Sequence, residues 1–258
     1  MAEKVKEKAV IISQEEISED IYSMWIETKA AESAKPGQFV ALYCNDAGRM
    51  LPRPISICEI DKEQKRLRLV YRVVGKGTEE FCQYHAGAQI EVMGPLGNGF
   101  PMEKAEGKKA LIIGGGIGVP PMLELAKQLK AQEKNIVCGY RNILFLDTEL
   151  KESGNFYVAT EDGSTGSKGT VLDAIRDNNI EADILFACGP TPMLRALKEY
   201  AQEHKMEAYI SMEEKMACGI GACLACVCKT KEKDAHTNVN NARICKEGPV
   251  FNAQEVEL

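Results

Sequence analysis

Long apolar runs are missing from this sequence, and so is any excess of positive charge. No stretch of the 258 residues approaches the roughly 18 consecutive apolar residues of a membrane-spanning helix, so we expect no membrane insertion. Acidic residues outnumber basic residues by 38 to 32, which gives a net charge of −6 and argues against a nucleic-acid partner. Internal repeats and low-complexity tracts are also absent, which excludes repeat and fibrous architectures.

The sequence also shows no apolar leader and little histidine. It starts Met-Ala-Glu-Lys-Val-Lys-Glu-Lys, without the apolar core that a secretory signal needs. Its ten cysteines are therefore expected in the reducing cytoplasm, as free thiols or metal ligands. The three histidines, His85, His204 and His236, have no partner visible in the sequence. We therefore predict no catalytic triad and no catalytic side chain.

What the sequence does contain is a dense group of cysteines near its C-terminal end. Cys218, Cys223 and Cys226 have the C-x4-C-x2-C spacing that is typical of plant-type [2Fe–2S] centres. A fourth thiolate is required, and both Cys228 and Cys245 are candidates. Cys245 is favoured, because a distant ligand closes the loop better than a third close neighbour does.

Zinc and inert thiols are the alternative interpretations of these cysteines. A structural zinc site usually combines two C-x2–4-C pairs, and no matching second pair is present here. Gly219 and Gly221 would relieve the Cβ crowding of a loop that wraps tightly around a cluster. The iron–sulfur interpretation is therefore favoured over a non-enzymatic zinc-binding module.

The chain divides into three regions by its pattern of secondary structure. Residues 1–103 contain about six short strands and one helix near Glu79–His85, which predicts a small closed antiparallel β-barrel. Residues 104–211 alternate strands with helices and predict a doubly wound parallel sheet. Residues 212–258 have few long apolar segments and are predicted to form the cluster module.

A glycine-rich turn follows the first predicted strand of the α/β region. Its glycines would let a phosphate approach the N-terminus of the next helix, although Val119 and Pro120 leave the G-x-G-x-x-G pattern incomplete and a structural turn is the alternative. A second segment, at the end of a later strand, is expected to reach the same crevice. The candidate dinucleotide-binding residues are Gly114, Gly115, Gly116, Gly118, Cys188, Gly189 and Pro190. A small buried thiol is the alternative interpretation of Cys188.

Two segments of the barrel region are further candidates for phosphate binding. Arg53-Pro54-Ile55-Ser56 offers a guanidinium suited to a pyrophosphate and a hydroxyl close by. Gly75-Lys76-Gly77-Thr78 precedes the predicted helix. Each segment is a weak signal alone, but two such sites beside a nucleotide-type crevice indicate a flavin domain.

The order of these motifs resembles the ferredoxin–NADP reductase superfamily. More narrowly, residues 211–226 and 245–251 are similar to the electron-transfer subunits of type 1B dihydroorotate dehydrogenases, and the resemblance covers essentially the whole chain. It implies FAD, a [2Fe–2S] cluster and NAD⁺ as the electron acceptor. The FAD-binding residues that it implies are Arg53, Pro54, Ile55, Ser56, Val70, Tyr71, Arg72, Gly77 and Thr78. The cluster ligands that it implies are Cys218, Cys223, Cys226 and Cys245.

The same resemblance implies a partner. Dihydroorotate would be oxidised at the FMN of a separate catalytic subunit, in a 2+2 heterotetramer of pyrimidine biosynthesis, and this chain would carry the electrons to NAD⁺. Three alternatives stay open beside it. They are a similar subunit of a hydrogenase, sulfite reductase or ferredoxin reductase complex, a stand-alone flavin reductase, and the zinc module.

Overall fold

The computed structural model describes residues 4–233 and 238–258, so His236 lies outside the described residues. Within these ranges, six antiparallel strands close into a barrel in the order β1-β2-β5-β4-β3-β6. The strands are β1 (Val5–Ser18), β2 (Ile21–Glu27), β3 (Phe39–Tyr43), β4 (Arg53–Asp61), β5 (Arg66–Arg72) and β6 (Gln89–Leu96). Two short helices accompany them, α1 (Ala30–Ser33) and α2 (Lys76–Phe81). The predicted barrel is confirmed, and its helix begins three residues earlier than expected.

Strand alternation fills the interior of the barrel. Along each strand every second side chain points inward, and these positions carry aliphatic residues without polar atoms. The inward set is completely buried and includes Ile11, Met24, Ile26, Leu42, Ile57, Leu67, Leu69, Ile90 and Val92. The barrel therefore has a packed core, and a ligand can bind only at its rim or outer wall.

The α/β region forms a twisted sheet whose six parallel strands, among the described residues, are ordered β10-β9-β8-β7-β11-β12. These strands are β7 (Lys109–Gly115), β8 (Glu133–Tyr140), β9 (Asn155–Thr160), β10 (Ser167–Lys168), β11 (Ile184–Cys188) and β12 (Glu207–Ser211). The accompanying helices are α3 (Pro120–Gln128), α4 (Asp147–Lys151), α5 (Val171–Asp177) and α6 (Thr191–Glu203). The predicted doubly wound sheet is confirmed, and its order reverses between β7 and β11, where ligands bind in such folds.

The C-terminal segment contributes to two sheets. β13 (Val227–Lys229) and β14 (Asn241–Arg243) form a small antiparallel pair. β15 (Val250–Asn252) instead pairs antiparallel with β12, with Ile210 opposite Phe251, and so adds an edge strand to the parallel sheet. The sequence pattern did not predict this strand. The cluster module is thus joined to the α/β sheet by backbone hydrogen bonds.

The barrel and the α/β region share one apolar cluster. Ile21, Cys58 and Val70 of the barrel lie in the same buried group as Val119 and Met122 near the start of α3. The continuous packing holds α3 against the outer wall of β4.

In the described part of the chain, no helix is long and apolar enough to cross a membrane.

Candidate functional site

A cavity of about 620 Å³ opens where the barrel faces the glycine-rich turn. Strands β4 and β5 provide one wall, and Ile117 of the turn reaches it from the opposite side. All the residues that the resemblance assigned to FAD line this cavity except Gly77, namely Arg53, Pro54, Ile55, Ser56, Val70, Tyr71, Arg72 and Thr78. Residues distant in sequence are therefore brought together at one place.

Gly77 lies behind Arg53 and makes room for its side chain. A Cβ atom built on Gly77 would stand 2.5 Å from Cζ of Arg53, which is closer than real Cβ atoms approach other atoms. The Arg53 guanidinium donates hydrogen bonds to the carbonyl of Leu51 and, at 3.4 Å, to that of Arg49. The missing side chain of Gly77 therefore lets the guanidinium lie flat on the loop at the rim of the cavity. This arrangement fits a pyrophosphate, which a planar guanidinium binds through two parallel hydrogen bonds.

Thr78 fixes the loop that precedes α2. Its hydroxyl accepts a hydrogen bond from the N–H of Val74 at 3.0 Å and donates one to the carbonyl of Gly75 at 3.0 Å. The hydroxyl is thus engaged within the loop while the residue lines the cavity. Thr78 therefore shapes the loop on which Gly77 and Arg53 meet.

We expect the Arg53→Ala variant to lose FAD affinity by about ten- to a hundredfold, because hydrogen bonds to charged groups contribute roughly 1.5–3 kcal/mol. Gly77→Ala should give a similar loss, since its new methyl group displaces the Arg53 side chain. FAD retention through gel filtration and fluorescence titration of the flavin measure both effects.

Gly75→Ala is the matched control for this experiment. Gly75 is two residues away, and a Cβ built on it has no neighbour within 4 Å. It should keep the affinity of the unchanged chain, and the double variant Arg53→Ala/Gly77→Ala should be no weaker than Arg53→Ala alone. Unchanged FAD affinity in Arg53→Ala would remove Arg53 from the site.

The glycine-rich turn lies between two further cavities of about 660 and 580 Å³. β7 ends at Gly115, the turn continues through Gly116–Gly118, and α3 starts with Pro120 and Pro121, where a missing N–H costs nothing. Both cavities are lined by Gly115, Gly116, Pro190 and Arg72, and Arg72 also lines the barrel cavity. The three cavities therefore adjoin around the N-terminus of α3, which favours an anion.

The remaining residues assigned to the dinucleotide are placed differently. Gly118 and Gly189 line the 660 Å³ cavity, whereas Gly114 and Cys188 are buried neighbours on paired strands beneath it. Burial raises the pKa of the Cys188 thiol to about 12. Cys188 is therefore a neutral thiol in the floor of the site.

The four thiols assigned to the cluster stand close together as two pairs. The sulfur of Cys218 accepts hydrogen bonds from the N–H groups of Ala222, at 3.3 Å, and Cys223, at 3.4 Å. Burial alone would raise the pKa of Cys218, but these and neighbouring N–H groups lower it to about 6. Loop N–H groups aimed at sulfur are a good environment for thiolate ligands.

Cys226 and Cys245 form the second, buried pair. Burial and the adjacent Cys226 thiol raise the pKa of Cys245 to about 12, and the charge of Cys218 is also felt there. Among the described residues, no three His, Cys, Asp or Glu side chains converge around a single metal ion. Two separate pairs of thiols fit a cluster of two irons, each bound by two sulfurs, better than one zinc ion.

Cys228 borders a cavity, unlike the four assigned thiols. It lies on β13 and lines the 660 Å³ cavity, together with Lys229. Gly219 and Gly221 of the loop have φ angles of +68° and +84°, a region that glycine adopts without strain. These glycines therefore permit the tight loop that carries Cys218, Cys223 and Cys226.

Three residues that line the cavities were not recognised in the sequence. Met212, Glu213 and Glu214 follow β12 and lie between the barrel cavity and the 660 Å³ cavity. Their acidic pattern is typical of a solvated surface, and both glutamates are indeed exposed. Their position at the carboxyl end of a parallel strand was the signal that could have identified them.

Comparison with known proteins assigns these features to a family. Residues 213–257 match the model of the iron–sulfur cluster binding domain of dihydroorotate dehydrogenase B, and residues 8–100 match the oxidoreductase FAD-binding domain. The electron transfer subunit of dihydroorotate dehydrogenase B (NAD⁺) from Bacillus velezensis is 44% identical over 98% of this chain and 99% of its own length. The chain belongs to the family of dihydroorotate dehydrogenase B electron transfer subunits. The corresponding subunit from Bacillus cereus is 42% identical over the same share of both chains.

Solved structures place this dihydroorotate dehydrogenase B family member among the flavin reductases. The NADH-dependent reduced ferredoxin–NADP oxidoreductase, which performs flavin-based electron bifurcation, superimposes with a TM-score of 0.86 at 30% identity, over 96% of this chain and 89% of the other. The ferredoxin–NADP⁺ reductase of Neisseria gonorrhoeae, solved with FAD and NADP, shares the fold with a TM-score of 0.66 at 16% identity, over 82% and 95% of the two chains. The predicted superfamily is therefore confirmed.

Proposed function

We propose that this chain carries electrons between an FMN-bearing dihydroorotate dehydrogenase catalytic subunit and NAD⁺. One observation carries the proposal. The barrel cavity opens on one side to the glycine-rich turn and on the other to residues 211–216, which lead directly into the cysteine loop. FAD supplies the chemistry that joins the two sides, because a flavin exchanges single electrons with an iron–sulfur centre and a hydride with a nicotinamide.

The residues of the chain bind and orient these groups. Arg53 holds the pyrophosphate of FAD, and β4 and β5 present Ser56 and Val70–Arg72 along the same wall. The turn before α3 receives the phosphates of the nicotinamide nucleotide. Cys218, Cys223, Cys226 and Cys245 bind the [2Fe–2S] cluster. No side-chain acid or base is needed at these positions.

The exposed part of the cysteine loop is the proposed contact with the catalytic subunit. Cys223 is exposed, and the apolar side chains of Ile220 and Leu224 on either side of it are 50% and 58% exposed. Apolar groups around a redox centre favour a protein interface, because burying them stabilises the complex and shortens the electron-transfer distance. We propose a 2+2 heterotetramer in the cytoplasm that serves pyrimidine biosynthesis.

Reconstitution tests this function directly. The purified chain, loaded with FAD and cluster, should reduce artificial dyes with NADH but should not oxidise dihydroorotate. Adding the FMN-bearing catalytic subunit should create dihydroorotate-dependent NAD⁺ reduction, measured as NADH absorbance. Removing the cluster from this chain should abolish that activity and leave dye reduction by the catalytic subunit unchanged. Dihydroorotate oxidation by the isolated chain would contradict the proposal.

A second candidate function is an NAD(P)H oxidoreductase subunit with a different partner. The observation that favours it is the close superposition on the bifurcating NADH-dependent oxidoreductase. Purification of the native complex separates the two, because the co-purifying chain is an FMN-containing dihydroorotate dehydrogenase in one case and a ferredoxin-linked, hydrogenase or sulfite reductase subunit in the other. The higher identity to the dihydroorotate dehydrogenase B subunits favours the first.

A further inference from the structure

A buried carboxylate of the α/β region accepts a backbone hydrogen bond from the unpaired edge of barrel strand β4. Pairing of β4 with β3 ends at Ser56, so residues beyond this point have no strand on that side. Glu124 of α3 is only 5% exposed, and its Oε2 accepts a hydrogen bond from the backbone N–H of Ile60 at 2.8 Å. Its Oε1 accepts a second hydrogen bond from the side chain of Gln128. Glu124 of α3 therefore accepts the Ile60 hydrogen bond that a neighbouring strand would otherwise accept.

An ion cluster lies beside this hydrogen bond. Glu59 of β4 accepts hydrogen bonds from Arg68 of β5, at 2.6 Å, and from Lys127 of α3. Arg68 also contacts Glu149 of α4 at 3.2 Å and donates to Ser23 of β2 at 2.9 Å. The Arg68–Glu149 and Glu59–Lys127 ion pairs each join the barrel to the α/β region, so they hold the two regions in one relative position.

The same two elements reach the cofactor cavities at their other ends. β4 carries Arg53 and Ser56 at its start, and Ser56 is four residues from Ile60, or roughly 13 Å along a strand. α3 begins just after Ile117 and Gly118, and Gly118 is six residues from Glu124, or roughly 9 Å along a helix. The contact of Glu124 with Ile60 therefore fixes β4 and α3 relative to each other, and with them the two cavity walls that these elements carry. We call this arrangement the frame.

We propose that Glu124 is a positioning residue, which sets the separation between the flavin wall on β4 and the nicotinamide turn before α3. The inference rests on the proposed function, in which a hydride, one proton with two electrons, passes between the flavin and the nicotinamide: from the flavin to NAD⁺ in the complex, and from NADH to the flavin in the dye assay. Transfer requires the two rings to be in contact, and a misplacement of about 1 Å can cost roughly a hundredfold in rate. Binding of either nucleotide by its own wall does not require the frame.

The test compares Glu124→Met with Glu124→Gln in the FAD- and cluster-loaded full chain. Met fills a similar volume but accepts no strong hydrogen bond, whereas Gln keeps an amide oxygen for the Ile60 N–H. Burial raises the pKa of Glu124, so the neutral amide suits this environment. Glu181→Met is the control for removal of a charge, because Glu181 is an exposed residue of the same region whose contact is with Lys109.

Four quantities are measured: kcat and KM for NADH with a one-electron dye, FAD retention, and hydrogen exchange at the Ile60 amide. For Glu124→Met we expect kcat to fall by about tenfold or more, with KM and FAD retention within twofold, and Ile60 to exchange faster. Glu124→Gln should keep kcat and the exchange rate of the Ile60 amide close to those of the unchanged chain. Glu181→Met should match the unchanged chain in all four quantities.

Two results would overturn the proposal. The first is an unchanged kcat in Glu124→Met while Ile60 exchanges faster. The second is a loss of kcat that follows an equal loss of FAD, which would show a purely structural role. Failure of the proposed function is a separate result, because the unchanged chain would then lack NADH-dependent dye reduction altogether, and the inference would fall with it.

Discussion

Replacing Cys245 by Ser should remove the iron–sulfur cluster from the purified chain. A serine hydroxyl is a poor ligand for iron in place of a thiolate, and the loss of one of four ligands leaves an iron exposed to water. Cys245 lies beside Cys226 in the buried pair. Because Cys226 is itself an assigned ligand, it cannot take the place of Cys245. Iron and sulfide content per chain, together with visible absorbance, should fall to a small fraction of the values of the unchanged chain.

Cys228→Ser is the matched control for this substitution. Cys228 is also buried and lies two residues from Cys226, but it lines the cavity on the dinucleotide side. Its variant should keep iron content near that of the unchanged chain. Iron loss in Cys228→Ser with retention in Cys245→Ser would reverse the ligand assignment.

Gly118→Ala should disable the nicotinamide site by moving the glycine-rich turn. A Cβ atom on Gly118 would stand 2.5 Å from the carbonyl carbon of Cys188 and 2.6 Å from the N of Gly189, which are backbone atoms of β11 and its end. Because backbone cannot give way as a flexible side chain can, the turn must shift. We expect a loss of about 3 kcal/mol in the free energy of unfolding, measured in urea, because overpacking a close contact costs roughly this much.

The shifted turn should also bind NADH more weakly, by about ten- to a hundredfold, because its N–H groups no longer meet the phosphates. Gly107→Ala provides the comparison at the opposite end of β7. Gly107 has a φ of +73° but no atom within 4 Å of the added Cβ. Its variant should lose only about 1 kcal/mol of stability and no NADH affinity. Equal NADH affinity in Gly118→Ala and Gly107→Ala would contradict the assigned role of the turn.

Local pattern was sufficient to predict most elements of this fold. The short strands predicted for residues 1–103 are present as β1–β6, and the alternation of strands and helices predicted for residues 104–211 is present as well. β1 extends over 14 residues although only part of it is apolar, because its charged alternate residues face solvent in the barrel wall. Periodicity and turn residues act within one element, so they are visible in the sequence.

Features that depend on contacts between distant elements were not visible. β15 has only three residues, and it forms because β12 offers an unpaired edge. Glu124 is a charged residue on a short helix, which predicts a solvated position. Its role is explained only by the loss of β3 pairing beyond Ser56 of β4. The same limit applies to Gly77, whose function is apparent only once Arg53 lies on top of it.

The position of β15 has a consequence for how the chain is made. The strand begins five residues after Cys245 and covers the outer edge of β12. Until the preceding loop is ordered, β12 presents its free N–H and carbonyl groups, and an open strand edge is a template for pairing with another chain. Because we propose Cys245 as a cluster ligand, we expect delivery of iron to a newly synthesised chain also to protect it from aggregation, so a shortage of iron should lower the yield of folded protein as well as its activity.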